Sequence, residues 1–460
     1  MFRTPTTRIL GGTVVTETGL VRTDLLIEGE KIARWGDLSA ARADRDVDAR
    51  GLLVLPGAVD PHVHFNDEFM GTVSVHDYET GTLAAAHGGV TTIIDFSNQR
   101  PGEPLLETVA RKKDEARGRA FIDWGVHPVI TSPSEAVLEE IPRVIEAGAP
   151  TIKCYMTYRS EGLMVEDRDL EAILRRIGRS NGMLLLHAED NEIIEKNVAG
   201  MIRDHRTSPI YHARSRPPEA EERAIRRAVA LARSGQGRIF IVHLASDRGL
   251  DLVAAARREG LAVFAETCTH YLVFAEEQLL REDGIKWICS PPLREVSIQE
   301  ALWRGLADGR ISLVSSDDAA YSWKAKLLGR ERFDLCPNGI PGVEARLAVL
   351  FSEGVARGRI SLPRLVELVA TAPAELFGLG DRKGRLRPGY DADIVIFNPG
   401  KAWIMGRETL HMAADWSAYE DLAVTGKIET VFSRGECVID GGRCPAEKGR
   451  GRFLERRLRR

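Results

Sequence analysis

Eight short apolar runs recur along the middle of the chain, each followed by a longer amphipathic stretch, and this alternation constrains the fold more than any other feature. The runs are "LLVLPGAVDPHVH" (52–64), "VTTIIDF" (90–96), "FIDWGVHPVI" (121–130), "PTIKCYM" (150–156), "MLLLHA" (183–188), "RIFIVHLA" (238–245), "LAVFAETC" (261–268) and "RISLVSSD" (310–317). Between them lie helical patterns such as "LLETVARKKDEARG" and "PEAEERAIRRAVALARSG", the latter opened by Pro217, Pro218 and acidic residues that mark a helix start. Runs that are apolar on both faces belong to strands covered on both sides, so the pattern predicts an α/β fold with a parallel sheet. Eight repeats favour a (β/α)₈ TIM-like barrel over residues 54–382, although a doubly wound sheet shares the same alternation.

The flanks read differently. Residues 1–53 and 383–445 both look like short strands and turns, and neither is long enough for a core of its own. The two are predicted to pair into one small β-sandwich with the barrel inserted between them. The last segment, 446–460, is an arginine-rich tail ("EKGRGRFLERRLRR") expected to be a solvated or subunit-contacting arm.

Composition removes several classes of function. The net charge of −4 gives no general attraction to nucleic acid or anionic membrane, and no apolar run reaches the length of a membrane span. The start of the sequence lacks the apolar core of a secretory signal. Six scattered cysteines without a CxxC pair read as reduced thiols of a cytoplasmic protein.

In a barrel, chemistry gathers at the C-terminal ends of the strands. The first run ends in His62 and His64, two apart and therefore on one strand face. The fourth carries Lys153, the fifth ends at His187, the sixth at His243 and the eighth at Asp317. Each has a bland reading: a histidine at a strand end is commonly a hydrogen-bonded core residue, and Asp317 suits a helix cap. Lys153 is harder to dismiss, since a lysine inside a buried run is desolvated unless something neutralises or uses it. All six falling on one rim points to metal. Four imidazoles and a carboxylate suit two borderline cations, Zn²⁺ by default with Mn²⁺ as the alternative. Two cations call for a bridging anion, and carbon dioxide captured by Lys153 as a carbamate (N6-carboxylysine) would supply one.

The motifs "DARGLLVLPGAVDPHVHF", "GTLAAAHGGVTTIIDF", "TIKCYMTY", "LLLHAED", "AETCTHYL", "CSPPLR", "CPNGIPGVEARLAVLFSEGV" and "GRLRPGYDADIVIFNP" together resemble the cyclic amidohydrolases, dihydropyrimidinase and D-hydantoinase above all, with allantoinase and dihydroorotase as cousins. The resemblance implies an amidohydrolase-type barrel holding one ion by His62, His64 and Asp317 and a second by His187 and His243, with carboxylated Lys153 between them. It implies attack of a bridging hydroxide on a ring amide or imide, Asp317 as the proton carrier, and Tyr158 as hydrogen-bond donor to the oxyanion. Ser290 and Asn338 would grip the substrate through their backbone groups. It also implies a homodimer or homotetramer with the C-terminal segment reaching a neighbour. Allantoinase is the nearest rival, and a non-catalytic scaffold of the same fold is disfavoured because all six ligands are present.

Three departures from the family pattern stand out. Asp318 follows Asp317 where a histidine is usual, and is expected to press on the Asp317 carboxyl or alter the ring that fits. The loop "HFNDEFMGTV" carries Asp67, Glu68 and Phe69 in place of an apolar stretch. Asn66 stands where dihydroorotases place an arginine.

Overall fold

The computed structural model describes residues 4–235 and 237–459. One of its two eight-stranded sheets is all parallel, with strands here β1 (Ala58–Val63), β2 (Val90–Asn98), β3 (Asp123–Val129), β4 (Thr151–Tyr155), β5 (Met183–His187), β6 (Arg238–Ile241), β7 (Val263–Cys268) and β8 (Leu313–Ser315). They pair in chain order from β1 to β8. The circle closes just past β8, where Val63 bridges Asp318 in parallel and the His64 amide donates to the Asp318 carbonyl at 2.8 Å. The barrel is therefore the expected (β/α)₈ type.

Period-two alternation explains why lysine and histidine can sit in such apolar strands. In β4, Ile152 and Cys154 pack outward among the helices, and in β5 Leu184 and Leu186 do the same. Lys153 and His187 alternate with these residues and face the lumen. Inside, Phe96, Leu185, Phe240 and Phe377 fill the barrel.

The second sheet combines both ends of the chain. The strand Thr6–Thr16 lies between Gly19–Glu28 and Leu53–Pro56, and Leu53–Pro56 in turn pairs antiparallel with Ile394–Ile404. The single apolar run 52–64 is thus two strands broken at Gly57, one for each sheet. Ile394, Ile396 and Phe432 pack into a core of their own on one face. Val395, Phe397 and Val431 join the barrel's core on the other. Burial on both faces is why "DIVIF" lacks the alternation of a half-exposed strand.

A buried ion cluster pins the two sheets together. Lys383 is fully buried, with its Nζ 2.8 Å from Asp123 at the start of β3, 2.7 Å from Asp393 and 3.1 Å from Asp391. Arg434 donates to the same Asp123 at 3.0 Å.

The arginine-rich tail is not simply solvated. It runs beneath its own barrel: the Trp124 amide donates to the Arg452 carbonyl at 3.0 Å, and Lys113 lies over the Phe453 ring at 3.7 Å. Arg456 is wholly buried, donating to Thr151 Oγ1 at 2.9 Å and to the carbonyls of Phe377 and Val126 at 3.3 and 2.5 Å. Carbonyl dipoles at the floor of the barrel thus hold a guanidinium that the sequence suggested would be wet. All six cysteines are free, and no helix among the described residues is long and apolar enough to cross a membrane.

Removing the lysine from the ion cluster leaves its aspartates buried without their cation. Lys383→Met is expected to destabilise the chain by about 3–5 kcal/mol, read as a lower urea midpoint. An unchanged midpoint would show that the cluster does not join the two sheets.

Candidate metal centre

His62 and His64 aim at one point, as their spacing predicts. Their Nε2 atoms are 3.3 Å apart, and Asp317 Oδ1 lies 2.9 Å from the first and 3.4 Å from the second. What turns those nitrogens inward is a set of carboxylates behind the rings. His62 Nδ1 is held by Glu266 of β7, and His64 Nδ1 donates to Asp67 Oδ2 at 3.1 Å. A carboxylate only accepts, so each Nδ1 carries a proton. Each Nε2 faces the Asp317 carboxylate, and the three atoms converge as a candidate donor set for a cation.

The second half of the site is built the same way. His187 Nε2 donates to Glu189 at 2.8 Å, which leaves Nδ1 as its free donor atom. Glu189 is fixed in turn by Arg216 at 2.7 Å. The His187 and His243 ring centres are 4.4 Å apart, and His243 Nδ1 is buried without a hydrogen-bond partner. Lys153 lies between the two halves, with Nζ 4.0 Å from the centre of the Phe96 ring and 4.7 Å from that of Tyr155. Among the described residues no carboxylate comes within ion-pair distance of it.

The electrostatics follow burial. Desolvation brings Lys153 down to about 8, only partly opposed by Asp317 and Glu266, so its amine sheds the proton more readily than an exposed lysine does. Burial likewise lowers His187 and His243, keeping both as neutral donors. For His62 burial pulls downward, yet Asp317 and Glu266 outweigh it and the net shift is upward. Burial pushes Asp317 up, but His62 and its neighbours outweigh this and hold the carboxyl well below its usual range. Tyr158 is raised by burial to about 12 and stays a protonated donor. Its hydroxyl accepts from Asn338 Nδ2 at 3.1 Å, and its ring packs on His187 with centres 5.3 Å apart.

All nine residues singled out in the sequence therefore meet at one cavity or line it, Ser290 and Asn338 among them. Three of them, Tyr158, His243 and Asp317, adopt positive φ angles of 66°, 40° and 49°. Non-glycine residues rarely do so, and such strain collects where the surrounding structure fixes a functional geometry.

Two sequence expectations change. Asp318 does not press on Asp317. Its carboxylate turns away and is satisfied by His76 Nδ1 at 2.6 Å and the amides of Gly342 and Val343 at 2.7 and 3.0 Å. Asp318 closes the barrel. In the 65–70 loop, Glu68 faces Arg100 at the surface rather than the pocket. Asp67 and Phe69 do line the cavity and Met70 lines the one beyond it; Asp67 also orients His64 and is anchored by Asn98 at 2.8 Å, and Phe69 lies edge-on to Tyr158.

Sequence reading passed over Glu266, Glu189 and Lys326. The first two are acidic residues inside or just after apolar runs, the same signal that exposed Lys153. Lys326 gave no such signal. It is fully buried and donates to the carbonyls of Ile288, Pro337 and Gly339 at 2.9, 3.0 and 3.1 Å, tying together the segments that carry Ser290 and Asn338.

Comparison with known proteins gives the lineage. The Amidohydrolase family model matches residues 53–438. The chain belongs to that family. It is 40% identical over 452 residues to a D-hydantoinase of Geobacillus stearothermophilus, covering 97% of this chain and 96% of that one. It is 41% identical over 453 residues to a D-phenylhydantoinase of Escherichia coli O1:K1 / APEC, covering 98% of each. The crystal structure of dihydropyrimidinase from Brevibacillus agri NCHU1002 superposes with a TM-score of 0.97 at 38% identity, over 99% of this chain and 100% of that one. The resemblance read from the motifs is borne out, and the chain is a hydrolase of this family.

Glu266→Gln keeps the shape behind His62 but weakens the partner that fixes its tautomer. The affinity of the site for Zn²⁺ is expected to fall by about 10–100-fold, measured by chelator competition. An unchanged affinity would remove Glu266 from the centre.

Proposed function

We propose that this enzyme opens the cyclic amide bond of dihydropyrimidines or 5-substituted hydantoins with the help of two divalent ions, zinc by default. The observation that carries the reading is the convergence of His62, His64 and Asp317 on one point beside a buried, unpaired Lys153. His62, His64 and Asp317 would hold one ion, His187 and His243 the other, and Lys153, as its carbamate, would bridge them. When bound, the two ions make hydroxide available near neutral pH and polarise the ring carbonyl.

The remaining work falls to the protein's own groups. Asp317 takes up the proton released as the nucleophile attacks and delivers it to the departing ring nitrogen, a base turned acid. Tyr158, protonated and held by Asn338, donates to the oxygen on which charge develops. The backbone groups at Ser290 and Asn338 hold the ring's imide edge, and Lys326 keeps their two segments in register. Beyond Tyr158 and Asn338 a second cavity opens, with Ile194, Val198, Ile202 and Phe333 in its wall. The wall also carries Glu161, Glu195, Arg332 and Asp334, so the room is of mixed character, and its size supports substituted rings over bare ones.

The names of the matched relatives favour hydantoinase or dihydropyrimidinase chemistry over allantoinase. A homodimer or homotetramer is part of the proposal, supported by the exposed leucines Leu327, Leu328 and Leu335. Six free thiols support a cytoplasmic location.

The test is ring opening by zinc-loaded enzyme on dihydrouracil, hydantoin, a 5-aryl hydantoin, allantoin and dihydroorotate, with Lys153→Ala alongside. Turnover of the first three, fastest for the aryl hydantoin and lost in Lys153→Ala, is expected. Turnover confined to allantoin or dihydroorotate would overturn the substrate class, and full activity in Lys153→Ala would overturn the mechanism.

A further inference from the structure

In a cavity separate from this centre, two histidines and a glutamate come together that the sequence did not single out. His87 ends the helix Thr80–His87 between β1 and β2, Glu344 follows β8, and His411 lies in the connection between the strands Ile394–Ile404 and Ala423–Ser433. One nitrogen of each imidazole and one Glu344 oxygen lie within 4.8 Å of one another. Glu344 is buried and accepts from His411 Nδ1 at 2.7 Å and from the His411 amide at 2.5 Å. The His87 ring is stacked on His411, with centres 3.4 Å apart and planes 6° from parallel. Among the described residues His87 has no hydrogen-bond partner at either ring nitrogen.

The approach is built into the backbone. A Cβ at Gly88 would lie 2.7 Å from both the Cα and the carbonyl oxygen of Glu344, so only glycine lets the end of this helix come so close. All three residues line one surface cavity, which also receives Glu408 as a further oxygen donor. Lys427 lines it too, with its ammonium over the Trp403 ring at 5.2 Å.

We propose that His87, Glu344 and His411 form a separate binding site for a borderline divalent cation such as Zn²⁺, linking the barrel to the terminal sheet. Two imidazoles and a carboxylate are a common zinc donor set, with water or Glu408 completing four-coordination. The ion takes the place of the proton between His411 Nδ1 and Glu344, and the coordinated imidazole stays neutral by carrying its one proton on Nε2. Parallel rings direct their lone pairs along parallel planes, so the exposed His411 turns out of the stack to meet the ion. Burial raises the Glu344 carboxyl and lowers His87 to about 3, so the site offers a neutral imidazole and a carboxylate short of counter-charge.

The experiment loads full-length wild type, His87→Ala and His411→Ala with a tenfold excess of Zn²⁺, removes free ion by gel filtration, and measures zinc per chain. Each variant should hold one equivalent less than wild type, and a zinc-dependent rise in Tm present in wild type should be lost. Because the readout is a difference, loss of the proposed ions at the barrel rim would lower all three proteins alike and leave the difference intact. Equal zinc in wild type and His411→Ala, whose exposed side chain can be removed without opening the core, would overturn the proposal even if His87→Ala failed to fold.

Discussion

The structure is organised around a lysine that has no counter-ion among the described residues. Lys153 sits inside an eight-stranded barrel with the rings of Phe96 and Tyr155 on two sides. A buried ammonium without a counter-ion is among the least favourable groups a core can hold, and an amine that sheds its proton more readily is the natural response. A neutral amine is a nucleophile for carbon dioxide. Around it stand four buried imidazoles and an aspartate held in its ionised form. Each element is costly alone, and the centre proposed above gives them a common purpose.

The second layer makes the first possible. Glu266 and Asp67 hold the outer nitrogens of His62 and His64, and Glu189 does so for His187, itself braced by Arg216. An imidazole tethered at one nitrogen presents the other in a fixed direction. These carboxylates come from β7, from the loop after β1 and from the end of β5, so the geometry of the centre depends on the whole barrel keeping its register. Closure through Asp318 belongs to the same logic. A residue that sequence comparison marks as a departure at the centre proves to be the clasp between the first strand and the last.

Much of this was legible in the sequence, for a definite reason. Strands buried on both faces leave unbroken apolar runs, and a polar group inside such a run is conspicuous; Lys153, the four histidines and Asp317 stood out that way. Glu266 and Glu189 carried the same signal, but no spacing rule linked them to the histidines they serve, because the link is across strands rather than along one. The run 52–64 hid a change of sheet at Gly57, since both halves are apolar. The tail misled in the opposite sense. Its charge suggested solvent, whereas Arg456 is buried at the floor of the barrel and donates to Thr151 and to the carbonyls of Phe377 and Val126, an arrangement invisible to composition. The cluster of His87, Glu344 and His411 is assembled from three remote segments, and although two of them fall within quoted motifs, no spacing along the chain linked them.

The claim on which the account rests is that Lys153 works as a carbamate, and carbon-13 NMR of the zinc-loaded enzyme in labelled bicarbonate addresses it directly. The account predicts one carbamate resonance per chain, absent from Lys153→Ala. A zinc-loaded, active enzyme without that resonance would contradict it.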